Sequence, residues 1–139
     1  MERRFAPING AVGAEQLAWL DTTLAEAEVA REQVVVLTHV PVCPGACSDK
    51  NLLWNYEEVL EVLDRRESTV LAVLAGHDHN GGVAQRRGVW HLTMGSPLHA
   101  QGEEECWGEV EVWGDRVEWR AGGGGVPHHI IMPFLPQLS

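Results

Sequence analysis

Basic residues are scarce in this chain of 139 residues: ten Lys and Arg stand against twenty Asp and Glu, for a formal net charge of −10. A nucleic-acid surface needs stripes of positive charge, so that class of partner is excluded. No apolar run approaches the roughly 20 residues that cross a bilayer. The start, Met1-Glu2-Arg3-Arg4-Phe5-Ala6-Pro7, lacks the apolar stretch of a secretory leader. No membrane is therefore expected as a partner. Cysteine is limited to three, an odd count that argues against a disulfide framework and for reduced thiols in a cytoplasmic setting. The acidic balance suits recruitment of divalent cations, although a negative surface is first of all a solubility feature. What is present in quantity is apolar: 45% of residues are hydrophobic. That fits a soluble globular chain, one domain over residues 1–139 with a modest core.

The pattern along the chain alternates helix and strand. Residues 1–13 read as irregular, with Pro7, Asn9-Gly10 and Gly13 as breakers. Ala14 to Arg31 carries Leu17, Leu20, Leu24 and Ala27 at spacings of three and four, which predicts a helix with one apolar stripe. Residues 33–38 are a continuous apolar run, the mark of a strand covered on both faces. A loop from Pro41 to Lys50 holds Cys43 and Cys47. Asn51 to Arg66 predicts a second helix with Asp49 as its N-cap and Leu53, Tyr56, Leu60 and Leu63 inward. Residues 69–75 are a second buried strand. Strands joined by helix-length crossovers imply an α/β chain with a partly parallel, mixed sheet.

The second part is mostly antiparallel in character. Asn80-Gly81-Gly82 is a turn, Gly88 to Met94 a strand, and Trp107 to Trp113 an alternating strand that turns at Gly114-Asp115 into Arg116 to Arg120. Gly122 to Gly125 precedes an apolar tail, Ile130 to Leu135. Trp19, Trp54 and Trp90 read as core or core-edge residues, and Trp113 and Trp119, on the terminal hairpin, as a cap on the second sheet. His91 alternates within its strand and reads as a hydrogen-bonded sheet histidine, with a substrate-side role as the other possibility.

Chemistry concentrates at the strand ends. Val34-Val35-Val36-Leu37-Thr38 runs into His39, and Val70-Leu71-Ala72-Val73-Leu74-Ala75 runs into Gly76-His77-Asp78-His79. Ligands of open α/β sheets bind outside the carboxyl ends of the strands. Neutral imidazoles there are good ligands for Mn, Fe, Zn and Co. His39, His77 and His79 are therefore candidate metal ligands. A separate zinc site from His39, Cys43 and Cys47 is the competing arrangement.

Thr38-His39-Val40-Pro41 and Gly76-His77-Asp78-His79 resemble the last two metal motifs of the calcineurin-like metallophosphoesterases. Asn9-Gly10-Ala11-Val12-Gly13-Ala14-Glu15-Gln16-Leu17, Leu53-Trp54-Asn55-Tyr56, Gly108-Glu109-Val110-Glu111-Val112 and the Gly-rich stretch before Val126-Pro127 are similar to one branch, the manganese-dependent ADP-ribose/CDP-alcohol diphosphatases. The resemblance implies a four-layer α/β/β/α sandwich with a divalent metal pair, Mn by the family's habit and Fe or Zn as alternatives. It implies hydrolysis of the phosphoanhydride bond in ADP-ribose, CDP-choline and similar nucleoside diphosphate conjugates. By the family pattern His39 and His77 would bind one metal and His79 the other. Asn55 and Tyr56 would flank the substrate.

The family's Asp-x-His, Gly-Asp-x-x-Asp and Gly-Asn-His-Asp/Glu motifs have no counterpart in this chain. The bridging carboxylate of a metal pair is thus missing, and no complete catalytic set is expected. The chain reads as the C-terminal half of such an enzyme, truncated and inactive or weak unless an N-terminal half is supplied. The alternative is a non-catalytic metal-binding or interaction module derived from such an enzyme.

Overall fold

A computed structural model describes residues 5–99 and 106–134. The Met1–Arg4 start and Leu135, both named above, lie outside them. The first helix, α1 (Ala14–Ala30), buries Leu24 and Ala27 and packs Leu17 and Leu20 at the core margin. It ends where Arg31 turns left-handed at φ 58° and its N–H returns to the carbonyls of Ala27 and Glu28. Trp19 departs from expectation: it is 62% exposed.

Strand β1 (Val34–Leu37) runs parallel to β2 (Val70–Ala75), with a register shift between Val34 and Val35. Between them α2 (Tyr56–Arg65) makes the crossover that a parallel pair requires. The helix starts later than the periodicity suggests. Asp49 lies in a single 3₁₀ turn (Asp49–Asn51) rather than capping α2, and residue 55 holds the cap position. The reason is where the intervening amides go. Leu53 N–H donates to the Pro41 carbonyl and Trp54 N–H to that of Gly10. Amides bound to distant carbonyls cannot close helical turns.

Strands β3 (Gly82–Arg86) and β4 (Val89–Thr93) form a hairpin, and β4 lies parallel to β2, so the sheet order is β1-β2-β4-β3. Strand β3 was not expected from the sequence. A second sheet, β5 (Trp107–Val112), β6 (Arg116–Gly122) and β7 (His129–Pro133), is wholly antiparallel. Two cores separate the layers. Leu24, Val59, Leu60 and Leu63 from the helices meet Val70, Val73 and Val89 on one face of the first sheet. Leu71, Ala72 and Leu92 meet Val117, Trp119, Ile130 and Met132 of the second sheet on the other. The result is a helix layer on a mixed sheet on an antiparallel sheet, an α/β chain as expected. The carboxyl ends of β1 and β2 lie side by side, which is what brings the strand-end histidines together.

Candidate metal centre

The chain leaves β1 through Thr38, whose N–H still pairs with the Leu74 carbonyl, and bends at His39. Gly76 N–H then donates to the His39 carbonyl at 3.0 Å, locking the two strand ends to each other. The imidazoles of His39 and His77 meet edge to face, with ring centroids 5.2 Å apart. His77 holds a left-handed φ of 66°, a conformation a side-chain-bearing residue keeps only where its surroundings impose it. Those surroundings are specific. Asp78 N–H reaches back to the Gly76 carbonyl at 2.7 Å, and Gly81 N–H reaches the Asp78 carbonyl at 3.0 Å. The turn is therefore tight, not extended, and His77 and His79 do not simply repeat along one strand face.

His77 is held below the ordinary imidazole pKa, chiefly by burial and next by the neighbouring His39, with His79 adding to the same effect against Asp78. It is consequently neutral near pH 7, the form that ligates metals. His79 itself is exposed, and its carbonyl accepts from Ser96 N–H at 3.1 Å. Among the described residues, no three His, Cys, Asp or Glu side chains gather closely enough to hold an ion. The donors therefore fit as part of a site: two facing imidazoles, one of them neutral, without an acidic partner.

The carboxylate nearest to hand is committed elsewhere. Asp78 is 1% exposed and accepts from Ser48 N–H at 2.7 Å and Ser48 Oγ–H at 2.6 Å, with its other oxygen taking Asn80 N–H at 3.2 Å. Burial would raise its pKa, but the bonds from Ser48 and Asn80 prevail and bring it down to about 2. Asp78 is more than the simple turn residue its position suggests, because it latches the 41–51 loop onto the histidine turn.

The cysteines do not join the histidines. Cys43 is buried in the helix-side core, and its Sγ donates to the Pro44 carbonyl. Burial, then Asp78, Cys43 and Asp49, push the Cys47 thiol up to about 12, so it stays protonated. Asn55 uses its amide on the backbone of Val12, accepting at 3.0 Å and donating at 2.9 Å, and donates also to Glu58. Tyr56 lines an open cavity of about 490 Å³ together with Cys43, Leu60, Ala84 and Arg86, and none of the three histidines forms its wall.

Sequence reasoning passed over Asn9. It is 2% exposed, and its Oδ1 lies 2.9 Å from His77 Nε2. The two residues are 68 positions apart, so spacing held no signal. It also passed over the Gly-rich loop as a support. The Gly124 carbonyl accepts from Gly95 N–H at 2.8 Å and sits where a Cβ on Gly81 would fall. The loop thus grips the backbone that follows His79.

No protein-family model matches this sequence. Curated relatives do. The manganese-dependent ADP-ribose/CDP-alcohol diphosphatase of Oryza sativa subsp. japonica is 39% identical over 118 residues, 84% of this chain and 36% of the relative. That of Homo sapiens is 33% identical over 131 residues, 94% of this chain and 38% of the relative. Among solved structures, a dimetal phosphatase from Danio rerio superposes with a TM-score of 0.88 at 30% identity, covering 94% of this chain and 41% of that one. GAP50 of Plasmodium, at 16% identity and a TM-score of 0.68, shares the fold alone. Over most of its length the chain is therefore a homologue of the manganese-dependent ADP-ribose/CDP-alcohol diphosphatases, and it spans a little over a third of the length of those relatives.

Proposed function

We propose that this chain is the C-terminal part of a single metallophosphoesterase domain that hydrolyses the phosphoanhydride of ADP-ribose, CDP-choline and related nucleoside diphosphate conjugates. The observation that carries this reading is the meeting of the His39 and His77 imidazoles at 5.2 Å, delivered by the ends of two neighbouring parallel strands. His39 and His77 would hold one divalent ion and His79 a second, with Mn the metal named for the relatives. A metal pair held there would activate the water that attacks phosphorus and would offset charge on the phosphoryl oxygens. The chain's own residues position that chemistry. The His39 carbonyl and Gly76 N–H fix the two strand ends, and Asp78 ties the adjoining loop through Ser48. Asn55 would act on the substrate side by holding the Val12 segment, and Tyr56 by its place at the start of α2.

The acidic bridge is the missing part. Asp78 is bound to Ser48 and Asn80, so the carboxylate between two ions must come from another segment. Activity should accordingly need an N-terminal half. Three free thiols accord with a cytoplasmic, reducing location. No helix among the described residues is long and apolar enough to cross a membrane.

The test is incubation with Mn²⁺ and ADP-ribose, reading AMP. The chain alone should give no turnover, and the chain with the remaining segment of a relative should, with His77→Ala abolishing it. Turnover by the chain alone would overturn the claim that it is incomplete. Mn²⁺ binding without turnover in any combination would favour a non-catalytic metal-binding module.

A further inference from the structure

Asn9 is held before it holds anything. Its N–H closes a turn onto the Ala6 carbonyl, the Trp54 indole N–H donates to that same carbonyl at 3.0 Å, and Trp54 N–H reaches the Gly10 carbonyl at 2.9 Å. The side chain is buried between the 48–51 turn and His77. Its Nδ2 donates to the Lys50 carbonyl at 2.7 Å. A carbonyl only accepts, so the nitrogen end of the amide must face Lys50 and the oxygen end must face His77. Oδ1 also only accepts, so the proton in the 2.9 Å contact belongs to His77 Nε2. A neutral imidazole carries one N–H, which leaves the lone pair on Nδ1. A backbone carbonyl thus sets, through a buried amide, which ring nitrogen of His77 carries the proton.

We propose that Asn9 is a positioning residue that holds His77 in its Nε2–H form and orientation, and thereby presents Nδ1 to a divalent cation. The metal clause rests on the reading of His77 as a ligand; the tautomer clause does not. Metal-bound histidines commonly donate their second ring N–H to a fixed acceptor, and loss of that acceptor weakens metal binding by about 10–100-fold. Asn9 supplies such an acceptor from 68 positions away in the chain.

The experiment is heteronuclear NMR of the metal-free full chain at about pH 8, where histidine is neutral. The ¹⁵N shifts of His77 should report a protonated Nε2 and a bare Nδ1, with a directly observed Nε2 proton slowed in exchange by its bond to Asn9. Asn9→Ala should lose that proton signal and weaken Mn²⁺ binding, read by paramagnetic broadening, about tenfold or more. A proton found on Nδ1 of the unsubstituted chain, a measurement that needs no variant, would overturn the assignment. So would an Nε2 proton signal unchanged in Asn9→Ala. Absence of Mn²⁺ broadening in the unsubstituted chain would instead count against His77 as a ligand and leave the imidazole signals to decide the role of Asn9.

Discussion

A buried histidine away from the candidate centre makes stability depend on pH. His91 sits in β4 at 3% exposure, facing the helix-side core, and its Nδ1 finds no hydrogen-bond partner among the described residues. Burial first, and the Arg86 charge second, push its pKa down to about 4 against the pull of Asp64. In the unfolded chain the same ring takes up a proton near pH 6.5. The unfolded state therefore binds more protons as pH falls through that window, and stability drops between about pH 6.5 and about pH 4. The expected loss is of the order of 3 kcal/mol. His91→Leu, close in volume and without a polar atom to bury, should flatten urea midpoints across that range. An unchanged pH slope in that variant would assign the acid sensitivity to other groups. A strand position for His91 followed from alternation. The orphaned nitrogen did not, because it depends on which side chains the helix layer brings over β4. The pairing of His39 with His77 was legible for the opposite reason: equivalent strand ends in a parallel sheet fall side by side whatever covers them.

Between elements, the contact that most constrains the candidate centre is backbone on backbone. The loop joining β6 to β7 presses Gly124 against the turn that carries His79. A Cβ on Gly81, at φ 68°, would lie 2.0 Å from the Gly124 oxygen, a gap only a shift of one chain or the other could relieve. Gly88 in the β3–β4 hairpin has φ 84° and nothing within 4 Å of an added Cβ. Ala at 88 should therefore cost only the left-handed conformation, about 1 kcal/mol. Ala at 81 should cost about 3 kcal/mol or more, because two backbones must separate. Urea unfolding of both variants at constant m-value measures the difference. Equal costs would mean that the loop and the turn adjust independently. The same hairpin explains why β3 escaped the sequence. Its turn is Arg87-Gly88, with Arg87 itself left-handed at φ 49°, in place of the Asn-Gly or Asp-Gly that signals such turns. Asp64, on α2, pairs with Arg86 through both carboxylate oxygens and also with Arg87, a support that no local pattern in the strand records. The β5–β6 hairpin was legible because its strong alternation and Gly114-Asp115 turn are both local. The late start of α2 was not, since it is set by carbonyls at Gly10 and Pro41.

At the scale of the whole molecule, the two edges of the first sheet are built differently. The β3 edge ends in Gln85, Arg86 and Arg87, with ion pairs to Asp64 and Glu67, the kind of charged margin that discourages strand addition. The β1 edge has no such guard. Val34 to Leu37 reads as a strand covered on both faces, yet it pairs only with β2 among the described residues, and Leu37 is 76% exposed. Trp19, the exposed tryptophan of α1, lies with Leu37, Val36 and Val12 along an apolar groove of about 100 Å³ beside that strand. A buried-type strand left at an edge, next to an apolar groove, is a surface made to be covered. The isolated chain should therefore associate with itself through β1, in a concentration-dependent way. Leu37→Lys should shift the association constant at least about tenfold toward monomer by placing a charge in the contact, equivalent to about 1.4 kcal/mol. Sedimentation velocity over a concentration series checks this. A chain that stays monomeric throughout, or one that associates equally well with Lys at position 37, would remove β1 as the joining edge and direct attention to the exposed Trp107, Val110 and Val112 of β5.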